Sequence, residues 1–470
     1  MRTGGFRPQN SIRERSAKEP EIEETPSWGI TPVPQRLRVL GFVDTLLLWI
    51  NLGISLLVLV AASYFALSLQ QALLATFLGG LVGCGMLGLA GMIGADARVP
   101  TMVLQRAPLG QRGSYLATGL NVLQCMGWAI FELIIIATAA AALSDRVFDF
   151  RAEWMWKLAF GGLATLLALL GPISFVRRFV RKIGIWAVAA SVVYLAVWIL
   201  DHADAATLWD QGGHGGSFFG GMDLVIALSV SWIPLVADYT RFSTTRRAAF
   251  FGTGVGYLLP TLFQFGFGAI LVLSHPSIAG PADVLTTVAA AGVASVLALL
   301  ALTVDETDEA FANVYSAAVS LQNLVPQAPQ RALIVACSLG ATAGALALDL
   351  TQYQHFLLLL GAFFVPLFGV LVADWVQRGL RYTAADIFEA PALRPGMIGA
   401  WLCGFLLYEW LATSQGTTAG LGFWTDFLEG LHPLDSQVGA SLPSFALAFA
   451  LASAVSIIGR RARAPAPAET

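Results

Sequence analysis

Hydrophobic residues occupy this chain in long runs that are separated by short polar segments. About 20 apolar residues suffice for a helix to cross a bilayer, and on that criterion the pattern predicts twelve transmembrane helices. These predicted spans, numbered 1 to 12, lie near residues 40–64, 71–95, 114–143, 156–175, 180–200, 221–239, 249–273, 289–319, 331–350, 354–377, 396–413 and 440–459. The chain is therefore predicted to be an all-α polytopic membrane protein.

Spans 1 and 6 are each interrupted near the middle. Asn51, Gly53 and Ser55 break the apolar run of span 1, and Pro234 removes a backbone donor from span 6. Interruptions at matching positions of two five-helix halves indicate an inverted-repeat transporter with its substrate at the breaks. The alternative is an ordinary proline kink together with a packing glycine.

The spacing of the interruptions also predicts a division of the chain. We expect an N-terminal tail at 1–38, a first repeat at 39–200 (helices 1–5) and a second repeat at 221–377 (helices 6–10). Peripheral helices 11 and 12 are expected at 396–459, followed by a C-terminal tail at 460–470.

Composition and charge agree with a membrane protein. The chain is 56% hydrophobic and 12% charged, whereas about a quarter of a soluble domain is charged. If the N-terminus is cytoplasmic, 24 of the 27 lysines and arginines fall in the tails and cytoplasmic loops, as the positive-inside rule requires. We therefore expect an inner-membrane protein with both termini in the cytoplasm. The net charge of −3 excludes an overall basic, nucleic-acid-binding character.

Several kinds of chemistry have no support in the sequence. The four cysteines lie singly in apolar segments and the five histidines lie in loops or at helix ends, so neither a disulfide framework nor an intramembrane metal centre is expected. The polar, arginine-rich N-terminus does not read as a cleavable signal peptide. No phosphate-binding loop occurs, so ATP is not expected to drive the protein directly. We expect no cofactor apart from a coupling ion.

The most unusual feature is acidic. The middle of span 8 contains Asp305, Glu306, Asp308 and Glu309, and a charge at the centre of a transmembrane helix costs roughly 2.5–3.5 kcal/mol on insertion scales. Helical spacing places the first, third and fourth of these on one face, which predicts a cation or proton site facing a bundle or a water-filled cavity. Glu306 is expected to face other helices and to pair structurally, which is also the alternative for Glu309.

Four stretches resemble one known family. The runs Trp232–Ser243, Asn313–Ser320, Gly361–Asp374 and Leu48–Leu57 are similar to those of nucleobase–cation symporters, the permeases of purines, cytosine, allantoin and hydantoin. The resemblance extends from about Trp28 to Asp374, and it is closest in look to the cytosine and hydroxymethylpyrimidine permease branch.

This resemblance implies a LeuT-like fold of two inverted five-helix repeats with broken helices 1 and 6. It places the coupling cation between the break of span 1 and the middle of span 8. On this chain the carbonyls of Gly53 and Leu56 would be ligands, together with Asp305, Asp308 and Glu309. A register shifted by one residue would instead bring in Val304 and Thr307.

The carboxylates depart from the family's pattern, which has small neutral polar groups at these positions. Hydroxyl and amide oxygens suit sodium, but adjacent carboxylates cannot all stay ionised when they are close and poorly solvated. We therefore expect either proton coupling or a possible sodium site whose occupancy is linked to a proton.

The substrate site implied by the family lies between spans 1, 3, 6 and 8. Trp128 and Trp232 are predicted to stack on a planar heterocycle. Gln124 and Glu132 lie one helical turn on either side of Trp128, and they could pair with the polar edge of a base. Ser231, Asn313 and Leu57 complete the predicted substrate-binding set.

Other acidic residues are expected at helix ends. Asp238 and Arg241 could close an inward gate at the end of span 6, and Asp374 could act similarly at the end of span 10, although a structural pair is the alternative for each. Asp44 is expected to be a cap or a gate residue.

These observations predict a cation-coupled secondary importer of a pyrimidine-like or related nucleobase compound, and not an enzyme. Its expected partners are a small heterocycle, sodium or a proton, and the lipid bilayer, with no nucleic acid and no obligatory protein partner. An amino-acid or amine symporter of the same architecture is the alternative. An intramembrane enzyme would need a catalytic constellation at depth, and a channel would need repeated polar rings; the sequence offers neither.

Overall fold

The computed structural model describes residues 29–170, 185–348 except 214, 279 and 291, 353–413 and 439–461, together with residues 427 and 430. The predicted tails fall largely outside these ranges, as does the basic segment at 176–182. Within the described ranges the chain is helical and has no strand.

Each predicted span overlaps one helix or a pair of helices. Labels follow the span numbers, and letters mark the parts of an interrupted span. The helices are α1a (Phe42–Asn51), α1b (Leu56–Ala61), α2 (Leu69–Ala97), α3 (Ser114–Phe148), α4 (Glu153–Leu170), α5 (Ile185–His202), α6a (Phe218–Val230), α6b (Val236–Thr240), α7 (Arg246–Ser274), α8a (Val293–Asp305), α8b (Thr307–Leu324), α9 (Gln330–Ala347), α10 (Tyr353–Gln377), α11 (Pro395–Thr413) and α12 (Ser441–Arg461).

Short helices connect or cap these elements. They are Thr101–Leu104, Arg106–Leu109, Ala205–Asp210, Pro281–Ala290 and Ala384–Phe388, with single 3-10 turns at Gln35–Leu37, Ala62–Tyr64 and Ile233–Leu235. Among the described helices, eight are long and apolar enough to cross a membrane, or nine if the bent pair of span 1 is one crossing. The number twelve therefore stays a prediction.

Spans 1 and 6 are both interrupted where the sequence predicted a break. The two parts of span 1 are inclined by 56° to each other, and the five residues that follow α6a contain Pro234. Span 8, expected as one helix over 289–319, begins at Val293 and consists of two α-helical stretches that meet at Glu306. The backbone stays helical there (φ −51°, ψ −22°), and the amide of Glu306 still donates to the carbonyl of Leu302 (2.8 Å).

The helices pack in two groups. In the first, α2 lies against α6a, α6b and α7, and α1a packs on α7. In the second, α8b packs on α3, α4 and α9. Helix α5 lies against α8a and α7, and α10 packs on α6a, α11 and α12. The interrupted spans 1 and 6 therefore belong to one group, and span 8 belongs to the other.

Helices α2 and α7 cross closely because both present glycine. A Cβ atom at Gly88 would lie 2.8 Å from the carbonyl oxygen of Phe250 and 3.2 Å from the Cα of Gly254. Small residues that let two backbones approach are the usual means of packing helices in lipid, where there is little hydrophobic force between them.

A short backbone bridge joins the segments that flank spans 1 and 6. The amide of Leu40, just before α1a, donates to the carbonyl of Phe242 (3.1 Å), and the amide of Thr244 donates back to Leu40 (2.9 Å). The guanidinium of Arg38 reinforces the bridge by donating to the carbonyl of Ser243 (2.9 Å). The start of span 1 and the end of span 6 are thus held at one place.

We expect Gly88→Ala to destabilise the protein by about 1–3 kcal/mol, because the added methyl group meets backbone that cannot move aside. The measurement is the thermal unfolding midpoint of the detergent-purified protein. Gly85→Ala is the matched control on the same helix, since a Cβ at that position has nothing within 4 Å. Equal midpoints for the two variants would contradict the role given to this crossing.

Candidate functional site

The break of span 1 is held by side chains from α7. The amide of Gln264 donates to the carbonyl of Gly53 (3.3 Å). A Cβ on Gly53 would lie 2.5 Å from Cγ of Pro260, so only glycine fits here. Beyond the break, Ser55 caps α1b by accepting a hydrogen bond from the amide of Leu57 (3.1 Å).

Glu306 joins the break of span 1 to the middle of span 8. Its Oε1 accepts a hydrogen bond from the hydroxyl of Ser55 (2.6 Å), and its Oε2 accepts one from the backbone amide of Leu56 (2.8 Å). The side chain is buried, with 1% of the residue exposed. The carboxyl group therefore satisfies amide and hydroxyl donors that the end of a helix would otherwise leave unbonded.

A buried cavity opens beside this contact, between the two helix groups. Its volume is about 10 Å³, so the walls nearly meet in this conformation. Spans 1, 3, 6, 7 and 8 all contribute to its wall. The lining residues are Ser55, Leu57, Val58, Trp128, Glu132, Leu228, Ser231, Trp232, Leu235, Tyr257, Glu309 and Asn313.

Aromatic rings form much of this wall, and each is fixed by another ring. Trp232 lies edge-on to Trp49, with ring centres 5.7 Å apart, and 6.1 Å from the ring of Tyr257. On the opposite group, Trp128 lies edge-on to Phe356 at 5.4 Å. Because edge-on contacts of this kind restrain the rings, the cavity offers fixed aromatic surfaces to a ligand.

Polar groups converge on the same cavity from α3 and α8b. The amide of Asn313 donates to Oε1 of Glu132 (2.9 Å) and to the backbone carbonyl of Glu309 (3.2 Å). The side chains of Glu132 and Glu309 also interact with each other. Oε2 of Glu132 is buried and accepts no hydrogen bond from the described residues.

The structure brings together six of the seven predicted substrate-binding residues. They are Trp128, Trp232, Glu132, Leu57, Ser231 and Asn313. The seventh, Gln124, lies outside the wall, and its amide donates to the backbone carbonyl of Ser231 (2.6 Å) in the break of span 6. Gln124 therefore bonds to the backbone of a lining residue but does not itself line the cavity.

The predicted coupling residues whose side chains the structure describes lie in two different places. Gly53 and Leu56 lie in the break of span 1, with the Gly53 carbonyl bonded to Gln264 and the Leu56 amide bonded to Glu306. Glu309 lines the cavity. The side chains of Asp305 and Asp308 lie outside the part of the chain that the structure describes. The coupling role of all five stays a prediction.

The predicted gate residues of span 6 do not form a side-chain pair with each other in the described contacts. The carboxylate of Asp238 accepts a hydrogen bond from the amide of Thr101 (3.0 Å). Arg241 donates to the carbonyls of Gly29 (3.0 Å) and Asp238 (3.2 Å) and to the hydroxyl of Tyr315 (3.2 Å). These bonds tie the end of span 6 to neighbouring segments.

Asp374 is a buried structural anchor at the end of α10. Its carboxylate accepts hydrogen bonds from Arg378 (2.9 Å), Arg394 (2.5 Å) and the hydroxyl of Tyr382 (3.0 Å). Asp44 is a cap at the start of α1a, where its carboxylate accepts a hydrogen bond from the amide of Gly41 (3.1 Å).

Sequence reasoning left Glu306, Tyr257 and Gln264 out of the site. Tyr257 and Gln264 are seven residues apart, so they share a face of α7 that also carries Pro260. A polar face within an apolar run is a sequence signal that could have identified Tyr257 and Gln264. Nothing in the sequence indicated that Glu306, rather than its acidic neighbours, would meet the break of span 1.

A family model matches most of this chain. The model describes permeases for cytosine/purines, uracil, thiamine and allantoin, and it matches residues 32–396. No curated protein matches the chain closely enough to show relatedness.

Solved structures share the fold. Mhp1, a nucleobase-cation-symport-1 family transporter in a closed conformation with bromovinylhydantoin bound, matches 92% of this chain and 94% of its own at 18% identity, with a TM-score of 0.72. Its inward-facing form matches with a TM-score of 0.71 at 17% identity, over the same shares of both chains. A manganese transporter of Eremococcus coleocola matches 92% of this chain and 97% of its own at 14% identity, with a TM-score of 0.54. The LeuT-like fold is thereby confirmed.

We expect Ser55→Ala to lower stability by about 1–2 kcal/mol, because it removes both the helix cap and one hydrogen bond to Glu306. The measurement is again the thermal unfolding midpoint. Ser63→Ala is the control, since the Ser63 hydroxyl only bonds back to the carbonyl of Val60. A Ser55→Ala midpoint as high as that of the control would contradict the importance of this contact.

Proposed function

Because this chain belongs to the family of permeases for cytosine/purines, uracil, thiamine and allantoin, we propose that it imports a nucleobase-like heterocycle by cation-coupled alternating access. The observation that carries the proposal is the aromatic cavity between the breaks of spans 1 and 6 and the face of α3 and α8b. A transporter site near the membrane midplane at broken helices is the arrangement expected of inverted-repeat carriers.

The cavity suits a flat ring with polar edges. Trp128 and Trp232 approach it from the two helix groups and supply aromatic faces. Glu132, Asn313 and Ser231 supply carboxyl, amide and hydroxyl groups in the same wall. Cytosine, hydroxymethylpyrimidine and related pyrimidines or purines combine these properties, and they are the substrates we propose.

An amino-acid substrate fits this break less well. Carriers of amino acids need free backbone N–H groups at the broken helix to bind the substrate carboxylate. Here the amide of Leu56 donates to Glu306 and the amide of Leu57 donates to Ser55. The chain's own carboxyl and hydroxyl groups thus occupy the donors that a substrate carboxylate would use.

For the coupling ion, we propose a cation locus between the break of span 1 and the middle of span 8, where Glu306 contacts Ser55 and Leu56. A proton or a sodium ion at this carboxyl group would change the bonds that join the two helix groups. Binding at one place would then alter the relative position of both groups, which is the requirement for coupling.

The charge distribution supports an orientation. We propose an inner-membrane location with cytoplasmic termini, because 24 of 27 basic residues then face the cytoplasm.

For the substrate site, we expect Trp232→Ala to weaken heterocycle binding about tenfold or more, since one stacked base is worth roughly 1–3 kcal/mol. Thermal shifts of the purified protein with cytosine, hydroxymethylpyrimidine, uracil, purines, hydantoins and amino acids would measure it. Trp186→Ala, a tryptophan with 72% of its surface exposed on α5, is the control. Shifts produced only by amino acids would overturn the proposal.

For the coupling ion, we expect uptake into proteoliposomes to depend on sodium, on the external pH, or on both. The experiment replaces sodium with choline at two external pH values. Glu306→Gln should abolish the dependence, because a glutamine keeps the shape but cannot hold the charge.

Glu409→Gln is the matched control, as Glu409 is a buried carboxyl group on α11 and does not line the cavity. Uptake that ignores both sodium and pH in the unmodified protein would rule out cation coupling. A dependence that persists in Glu306→Gln would assign the coupling to other residues.

A further inference from the structure

A groove far from the cavity lies on the outer surface, where α1a and α7 begin. Its volume is about 520 Å³. Phe42 lines it from α1a, Phe251 and Val255 line it from α7, and Thr244 lines it from the segment that follows span 6. In the proposed orientation these helices begin at the cytoplasmic face of the membrane. The groove therefore lies at the boundary between lipid chains and headgroups.

The apolar part of the groove is open to the surroundings of the protein. Phe42 has 46% of its surface exposed, Phe251 has 52% and Val255 has 39%. Contiguous exposed apolar side chains mark a surface that another apolar molecule covers. At the end of a transmembrane bundle that molecule is a lipid, so an acyl chain is the expected neighbour of these three residues.

One unpaired positive charge lies beside these apolar side chains. Arg247 lines the groove, and no acidic residue lines it. Within the described part of the chain, the guanidinium of Arg247 has no ion pair and no hydrogen bond. The groove therefore presents a full positive charge that the chain itself does not neutralise.

The preceding arginine shows a different arrangement. Arg246 pairs with Asp96 (3.7 Å) and donates to the carbonyl of Leu380 (2.7 Å). Its guanidinium also lies over the ring of Trp375, 5.5 Å from the ring centre. The chain thus uses Arg246 to hold the start of α7 in place, and it leaves Arg247 to a group outside the chain.

A hydroxyl group accompanies the free guanidinium. The side chain of Thr244 lines the groove and bonds to no other described residue. Thr245 is engaged, because its hydroxyl caps α7 by accepting a hydrogen bond from the amide of Ala248 (3.0 Å). Guanidinium and hydroxyl groups together are suitable donors for the oxygens of a phosphate group.

We propose that this groove binds an anionic phospholipid of the cytoplasmic leaflet, with its phosphate at Arg247 and Thr244 and an acyl chain along Phe42, Phe251 and Val255. Basic pockets at the cytoplasmic ends of transmembrane helices bind lipid headgroups in this manner. The ligand should be anionic rather than zwitterionic, since no carboxylate lines the groove to pair with a headgroup ammonium.

The bound lipid would have a structural effect. Thr244 donates its backbone amide to Leu40 (2.9 Å) in the bridge between spans 1 and 6, and Phe42 follows Leu40 by two residues. A lipid in the groove therefore contacts both sides of that bridge and stabilises the packing of spans 1, 6 and 7. This site is independent of the heterocycle that the protein carries.

The experiment titrates the delipidated, full-length protein in detergent with phosphatidylglycerol, and separately with phosphatidylcholine that has the same acyl chains. Native mass spectrometry counts the bound lipids, and the thermal unfolding midpoint reports stabilisation. Glycerol phosphate and inorganic phosphate are tested as anions without acyl chains. We expect one phosphatidylglycerol to bind saturably and to raise the midpoint, with weaker binding of phosphatidylcholine and no effect of the two free anions.

Variants test the assigned arginine. Arg247→Gln should weaken phosphatidylglycerol binding about fivefold, the usual contribution of one basic side chain at a membrane surface. Arg247→Lys keeps the charge and should retain most of the binding. Arg112→Gln is the matched control, since Arg112 is an exposed arginine in another cytoplasmic loop and does not line the groove. An unchanged midpoint of Arg247→Gln without lipid verifies its fold.

Three results would overturn the inference. Equal binding of the two lipids would show that charge is not recognised. An equal loss in Arg247→Gln and Arg112→Gln would show diffuse attraction to a basic surface. Stabilisation by inorganic phosphate as large as that by the lipid would make the groove an anion site without a lipid. None of these results bears on heterocycle binding, so the proposed function is tested separately.

Discussion

The hydrogen bonds of Glu306 are the interaction on which this site depends. Lipid offers no partners for backbone groups, so a transmembrane helix can be broken only where the protein supplies them. In span 1 the amide of Leu56 and the hydroxyl of Ser55 donate their hydrogen bonds to a carboxyl group from span 8. Gln264 of α7 also donates to the Gly53 carbonyl, so the break that forms one wall of the cavity is stabilised from both helix groups.

The remaining walls follow from how tightly the helices approach. Gly53 admits Pro260 to the break of span 1, and Gly88 admits the backbone of α7 to α2. Trp49 packs closely on Gly256 of α7, where an added Cβ would lie 2.8 Å from its Cβ, and its ring lies edge-on to Trp232 of the cavity wall. Small residues thus permit the helix contacts around the aromatic part of that wall.

The fold was largely predictable, since a span of apolar residues and a proline or glycine in its middle are local signals. The positions of Trp128, Glu132 and Asn313 in one wall also followed from helical spacing and family resemblance. The particular role of Glu306 did not. Helical spacing pointed to Asp305, Asp308 and Glu309, but which carboxyl group meets the break of span 1 depends on how span 8 is rotated against that break, which no local sequence pattern records.

The bridge between Leu40 and the segment after α6b has a mechanical consequence. It joins the beginning of span 1 to the end of span 6, the two spans whose breaks line the cavity. Neither end can slide along the other without breaking two backbone hydrogen bonds and the Arg38 contact. An axial displacement of one broken span at this end must therefore either carry the other with it or break these bonds.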